Sequence, residues 1–339
     1  MTDISVILCT FNRCQTLAKA LDSIAQSVLP ESTVWEVLIL DNNSEDQTRE
    51  VAAAFCSRFP NRFRYIFESK PGKSFALNTG IRESRGGILA FLDDDVTVEP
   101  TWLQRLTAVL SKPDWAGAGG PVVPQWSCPR PRWLPLDGES GPLASFNKGS
   151  IAGELSEPPI GTNMAYRRTM FTKYGGFRTD LGPSPFAETP RPNEDTEFGR
   201  RLIAAGERLF YEPSAVVFHS VTESRLQKTY FLAWWFDKGR ADIREYGVPS
   251  SARWVISGIP LLKFRSFVHW ALRWITSVVP SRRFSARLKL QYVAGCIAEY
   301  RLRAGAEPLQ GQNLKPSKFE PSRPPIAAES SSTTTQNIL

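Results

Sequence analysis

Gly86-Gly87-Ile88-Leu89-Ala90-Phe91-Leu92-Asp93-Asp94-Asp95 is an apolar run that stops at three consecutive carboxylates. A short apolar stretch of this kind reads as a strand buried inside a sheet. Working outward, Ile4 to Cys9, Val34 to Leu40 and Phe63 to Phe67 are three further runs of the same character. Helical spacing fills the gaps between them. Leu17, Leu21, Ile24 and Val28 predict a first helix, residues 46–59 a second and residues 74–84 a third. Strand–helix–strand repetition implies a mostly parallel α/β sheet with right-handed crossovers. Ligands on such sheets sit beyond the carboxyl ends of the strands. Thr10-Phe11-Asn12-Arg13, Asp41-Asn42-Asn43 and Asp93-Asp94-Asp95 all fall there, so three polar clusters at one sheet edge define a candidate site.

Past the triplet the character changes. Eight prolines between residues 121 and 160 exclude long helices and central strands, leaving a loop-rich insert with one short edge strand near residues 119–123. Order returns at Pro159-Ile160-Gly161-Thr162-Asn163-Met164-Ala165. A Pro- and Gly-rich stretch over residues 178–193 precedes a helix over 194–205. Residues 230–303 read as helices rich in Trp, Phe and Arg, and the Pro-, Ser-, Thr- and Gln-rich end is expected to be disordered. Composition thus divides the chain into a sheet domain (1–228), a basic Trp-rich helical region (229–303) and a tail (304–339).

The 339 residues, 42% hydrophobic and 22% charged, suffice for a large core. Five scattered cysteines without a CxxC pair argue against a disulfide framework or zinc site, and the start lacks the basic, long apolar pattern of a signal peptide. A cytoplasmic setting is expected. The net charge of +7 is uneven: residues 225–303 hold fifteen Lys/Arg against four Asp/Glu, and the remainder is net acidic. The same stretch carries Trp234, Trp235, Trp254, Trp270 and Trp274. Tryptophan favours membrane interfaces, so an anionic membrane surface, met at the inner face of the plasma membrane, is the preferred partner over nucleic acid. Residues 254–279 are interrupted by Lys263, Arg265, His269 and Arg273, so an interfacial helix fits better than a spanning one. Packing of these helices on the sheet domain is the alternative.

Several side chains suggest chemistry. The carboxylates of Asp93, Asp94 and Asp95 at a strand end call for a hard divalent cation, Mn²⁺ or Mg²⁺. Asp41 at the end of its strand can accept hydrogen bonds from a base or ribose. Gly72-Lys73-Ser74 resembles a phosphate loop, but Phe67 stands where the upstream glycine is needed, which excludes that ATPase motif. Glu194-Asp195 opens a helix with Asn193 as its expected N-cap, and an aspartate fixed there suits a general base. His219 ends an apolar run and is a candidate metal or phosphate contact. Arg225 and Lys228 could grip a diphosphate.

Taken together, these motifs resemble the inverting family 2 glycosyltransferases of GT-A fold. The carriers are Ser5 to Arg13, Asp41 to Ser44, Pro71-Gly72-Lys73-Ser74 through Asn78 and Gly80, and Phe91 to Asp95. They continue with Gly161 to Ala165, Gly175-Gly176-Phe177, and Glu194 to Phe198 with Arg201. The resemblance implies a nucleotide-diphosphate sugar donor, a UDP-sugar in particular, held by Thr10, Asn12, Arg13, Asp41, Asn43, Lys73, Asn78, Asp93, Asp94 and Arg225. It implies a metal at Asp95, Asp93 and His219, Asp195 as catalytic base with Glu194 beside it, and Gly161, Asn163 and Met164 on the side of a glycan or lipid-linked acceptor. The sequence departs from the family pattern at Asn193, where a glycine is common, and in the proline-rich loop before it. Rival readings are a non-catalytic nucleotide-sugar binder, a nucleotidyltransferase, for which Ser5 to Arg13 lacks the glycine- and arginine-rich loop, and a membrane-surface scaffold.

Overall fold

The structure, a computed structural model, describes residues 3–134, 141–184, 192–247 and 254–304. The elements run β1 (Ile4–Thr10), α1 (Cys14–Ala25), β2 (Trp35–Asp41), α2 (Thr48–Arg58), β3 (Phe63–Phe67), α3 (Lys73–Glu83), β4 (Ile88–Asp93), β5 (Val96–Val98) and α4 (Trp102–Leu110). There follow β6 (Gly117–Gly119), β7 (Val122–Trp126), β8 (Gly153–Glu154), β9 (Met164–Arg167), α5 (Arg168–Tyr174), α6 (Glu194–Ala204), β10 (Leu209–Tyr211) and β11 (Val217–Val221). The C-terminal part holds α7 (Lys228–Tyr246), the hairpin β12 (Val255–Ile256) and β13 (Ile259–Pro260), α8 (Leu261–Thr276) and α9 (Pro280–Ala304).

The main sheet has the order β3-β2-β1-β4-β9-β6-β10-β8. Its β3-β2-β1-β4 half is parallel, and β9 enters antiparallel between β4 and β6. Side-chain alternation explains why the parallel strands are mostly apolar. On β1, Ile4, Val6 and Leu8 face a core with Leu17, Leu21, Ile24, Phe55, Trp102 and Leu106, drawn from α1, α2 and α4. Ile7 and Cys9 face the other core, with Leu77, Phe171, Phe198 and Leu202 from α3, α5 and α6. A strand covered on both faces keeps few polar positions, and the buried Ser5 hydroxyl on β1 donates to Glu36 on β2 at 2.8 Å. Helix α1 stops at Ala25, so Val28, expected within it, lies beyond its end and is 55% exposed.

A second sheet, β5-β11-β7, carries the proline-rich insert. Pro124 is tolerated within β7 because that strand lies at the sheet's edge. The sheet places residues after the acidic triplet beside the end of β11, with Val96 opposite His219.

Packing redraws the compositional boundary at residue 228. Phe231 of α7 and Phe284 and Leu288 of α9 share a core with Leu134, Leu143 and Val221, and all described residues fall within one compact unit, Met1–Pro308. Helices α7 and α9 cross at backbone contact: a Cβ on Gly239 would meet the Tyr292 carbonyl oxygen at 2.0 Å, and one on Gly295 the Phe236 carbonyl oxygen at 1.9 Å. Glu299, buried between them, pairs with Arg240 at 3.2 Å and Arg244 at 2.6 Å. Residues 305–339, read as a disordered tail, lie outside the described residues.

Candidate active site

Register builds the site. Thr10 lies opposite Asp41, and Cys9 opposite Asp93, so the ends of β1, β2 and β4 form one edge. The chain then turns through Asp94 and Asp95 into β5. The Ser220 amide on β11 donates to the Asp95 carbonyl at 3.2 Å, holding that turn against the strand bearing His219.

The three carboxylates take separate roles. Asp93 accepts from Lys73 Nζ at 2.6 Å and from the Thr162 hydroxyl at 2.9 Å. Asp94 pairs with Arg13 at 3.0 Å. Asp95 pairs with Arg13 at 2.6 Å and with Arg225, and its Oδ1 lies 3.5 Å from His219 Nε2. Burial raises the Asp94 carboxyl to about 6 although Arg13 pulls it down. Asp95 is equally buried, but His219, Arg225 and Arg13 outweigh desolvation and hold its carboxyl below the usual range.

His219 is 1% exposed. Arg225 Nη1 lies 2.7 Å from its Nε2, and a guanidinium can only donate. The contact with Arg225 is made in the tautomer whose Nε2 carries a lone pair. Asp95 Oδ1 is buried with no hydrogen-bond partner among the described residues. An orphaned carboxylate oxygen beside an imidazole lone pair is a donor set that fits one divalent cation. Arg225 competes with such an ion for the same lone pair. Among the described residues no three His, Cys, Asp or Glu side chains gather as a closed cage, and Asp93, named as a ligand from sequence, is directed to Lys73 and Thr162 instead.

Glu194 and Asp195 open α6 in different surroundings. Glu194 is buried, 3.5 Å from Lys73 Nζ, and burial pushes its carboxyl up to about 7 against the pull of Lys73. Asp195 is half-buried; its Oδ2 accepts from the Gly161 amide and its Oδ1 from the Thr196 amide at 2.7 Å. A Cβ on Gly161 would stand 2.9 Å from Asp195 Oδ2, so only glycine leaves room for that contact.

Asn193 stands at the N-cap of α6, as expected, but its side chain makes no capping hydrogen bond. It adopts φ 94°, and its side chain donates to Asp242 at 2.7 Å and Glu245 at 3.0 Å on α7. Arg200 adds a bidentate pair to Glu245 at 2.6 and 2.7 Å. The positive φ accounts for the departure from glycine: asparagine tolerates that region better than most residues, and here it also ties α6 to α7.

Other expected contacts prove internal. Asn163 is 0% exposed: its Oδ1 accepts from Trp102 Nε1 at 2.8 Å, and its Nδ2 donates to the carbonyls of Pro121 and Ala215. Met164 is 1% exposed. Neither side chain reaches the surface, and the Gly161 amide donates to Asp195. Asn78 clamps Phe177, accepting from its amide and donating to its carbonyl, both at 2.8 Å. Asp41 accepts from the Ser44 amide at 2.9 Å and from Tyr65 Oη at 2.8 Å. Asn43 turns the chain at φ 67°. Lys228 lies over the rings of Trp133 and Phe284 rather than at the cleft.

A cleft of about 420 Å³ remains, lined by Asn12, Arg13, Asp46, Asp95, Thr222 and Arg225 among others. Asn12, at φ 51°, ties its amide to Ser44 Oγ and its Oδ1 to the Glu45 amide, shaping one wall. Thr10, buried at the end of β1, stands beside Asp94. Asn42, named from sequence only as part of the Asp41 to Asn43 cluster, donates to the Glu68 and Lys70 carbonyls and accepts from the Gly72 amide. Sequence reading missed Thr162, although that residue sits within the quoted Gly161 to Ala165 motif, and the polar alternation Ser220, Thr222, Ser224 that follows His219.

Residues 5–175 match the model of Glycosyl transferase family 2. The chain is 30% identical over 232 residues to the succinoglycan biosynthesis protein ExoM of Rhizobium meliloti, covering 68% of this chain and 70% of that one. It is 26% identical over 230 residues to a glucosyl-dolichyl phosphate glucuronosyltransferase of Haloferax volcanii, covering 66% and 71%. The solved mannosyltransferase PcManGT from Pyrobaculum calidifontis, in complex with GDP-Man and Mn²⁺, shares the fold with a TM-score of 0.57 at 17% identity, over 87% of this chain and 86% of that one. Strand-end cluster, sheet topology and sequence kinship agree: the chain belongs to glycosyl transferase family 2, has the GT-A fold and is a glycosyltransferase.

Proposed function

We propose that this enzyme moves a sugar from a nucleotide-diphosphate donor, a UDP-sugar in the first instance, onto a hydroxyl of a glycan or lipid-linked acceptor, inverting the anomeric centre. The observation that carries this reading is the division of labour among the acids. Asp93, Asp94, Asp95 and Glu194 are each held against a cation, whereas Asp195 is met by two backbone amides and stays half-exposed. Each Asp195 oxygen keeps a second lone pair for an incoming proton. In the reaction Asp195 takes the acceptor hydroxyl proton, and the oxygen bonds to the anomeric carbon. The carbon–oxygen bond to the diphosphate breaks with its electron pair leaving on phosphate. Arg13 and Arg225 at the cleft can turn their donors from Asp95 to the diphosphate. Mn²⁺ or Mg²⁺ would be held by Asp95 and His219, and when bound would supply positive charge against the leaving group. The mixed oxygen and nitrogen donors favour Mn²⁺. The names of two relatives, one in succinoglycan biosynthesis and one acting on glucosyl-dolichyl phosphate, support the acceptor class.

The test is a screen of nucleotide sugars for release of the nucleoside diphosphate, with and without Mn²⁺ or Mg²⁺, using the wild type and Asp95→Asn. Metal-dependent release from one donor, lost in the variant, is expected. A folded protein that binds no nucleotide by calorimetry and turns over no donor would overturn the reading.

A further inference from the structure

Helix α8 is sixteen residues long and buries none of them. One side leans on α9, where Phe264 joins the core of Ile243, Cys296 and Tyr300, and Lys289 and Arg287 lie over the rings of Trp270 and Trp274. The opposite side is open. At 100° per residue, Leu261, Val268, Leu272 and Ile275 form one stripe, and Val268, Leu272 and Ile275 are 57, 57 and 67% exposed. Arg265, His269 and Arg273 form the adjoining stripe, all exposed. The apolar strip extends at both ends. Val278 beyond α8 is 94% exposed, and the Trp254 carbonyl accepts from the Leu261 amide, bringing the exposed Trp254, Val255 and Ile256 to the start of the helix.

Between Glu245 and Glu299 the sequence contains eight Lys or Arg and no acid. Arg265, Arg273, Arg282 and Arg283 are exposed, and among the described residues no ion pair engages them. Among the described residues no helix is long and apolar enough to cross a membrane.

We infer that α8, with the β12–β13 hairpin, is a docking surface for an anionic lipid bilayer, lying in the plane of the interface with its aliphatic stripe among the acyl chains and its arginines at the headgroups. Apolar burial and attraction to anionic lipid add in such helices. A second copy of the chain fits poorly, because two such faces would bring like charges together with no acid on either face among the described residues. A nucleic acid would use the arginines but leave Val268, Leu272 and Ile275 without a role. Docking of α8 is independent of the donor and mechanism proposed above.

The experiment is co-sedimentation of the full chain with phosphatidylcholine vesicles, with and without phosphatidylglycerol. Expected is binding to the anionic vesicles that weakens with salt, falls on the order of thirtyfold in Arg265→Gln/Arg273→Gln, and falls more than about tenfold in Val268→Asp/Ile275→Asp. Both pairs lie on the exposed side, so their melting temperatures should match the wild type. No binding to anionic vesicles at low salt, or binding indifferent to both pairs, overturns the inference. So does a dimer by light scattering that Val268→Asp/Ile275→Asp splits while vesicle binding is absent.

Discussion

The ends of the parallel strands and the surface of α8 both carry charge, and they handle it in opposite ways. At the strand ends four acids, Asp93, Asp94, Asp95 and Glu194, share three cations, Lys73, Arg13 and Arg225, at distances from close contact to 3.5 Å. Burial makes this pairing obligatory, since an uncompensated ion there would be neutralised or would unfold the site. On α8 the cations face water and apolar side chains lie beside them. The first region compensates most of its charge internally, with Asp95 Oδ1 left unpartnered among the described residues, and it can admit an anionic ligand by exchanging partners, as when Arg225 releases Asp95. The second has no acid partner among the described residues.

The contrast fails most sharply at Asp195, which belongs to the first region yet lacks a cation. If its exposure reflects a role as base, Asp195→Asn should lower kcat about a thousandfold. Nucleotide affinity should be nearly unchanged, because the arginines and the Asp95–His219 pair are intact. Steady-state transfer and calorimetry together check this. An equal fall in nucleotide binding would mean that Asp195 helps hold the donor instead.

One residue earlier the effect is on stability. The folded chain raises Glu194 from the ordinary 4.5 to about 7, so it binds this proton more tightly than the unfolded chain does. The associated stability is present below about 4.5 and is lost as pH rises through about 7, a loss of about 3 kcal/mol by linkage. Denaturant titrations across that range should show the wild type weakening and Glu194→Gln holding nearly level. A smaller slope of the same sign remains from Asp94, which burial raises to about 6. Equal slopes in the two proteins would mean that Lys73 already compensates Glu194 in full.

How much of this was legible in sequence follows from the same physics. The strands β1, β2 and β4 were readable because covering both faces forces apolar side chains at nearly every position, and a bounded run of six or seven such residues is too short for most helices. The small sheet was not, because β5 and β11 span three and five residues and β7 contains Pro124. Polar clusters at strand ends located the site but could not say which side chain faces the ligand. Asp41, Asn42, Asn78 and Asn163 all have short polar side chains suited to binding, and here they hold backbone together through contacts as far as 99 residues apart in Asn78–Phe177. Arg13 meets Asp94 and Asp95 across 81 and 82 positions, a pairing that no local pattern encodes.

Asn193 links the two regions, since its side chain reaches α7, which packs on α9, and α9 carries α8. Replacing it separates backbone from side chain. Asn193→Gly keeps the φ of 94° at ease and removes two hydrogen bonds, while the Arg200–Glu245 pair remains, so a loss of about 1 kcal/mol is expected. Asn193→Ala removes the same bonds and also places a Cβ in the left-handed region, adding about 1 kcal/mol. If α7 helps hold the first turn of α6 in register, Asn193→Gly should lower kcat severalfold with the donor KM unchanged. A glycine variant that loses stability but turns over at the wild-type rate would show that the strand-end site and the C-terminal helices share a core without sharing a mechanism. Activity at that site would then be indifferent to whether α8 is docked.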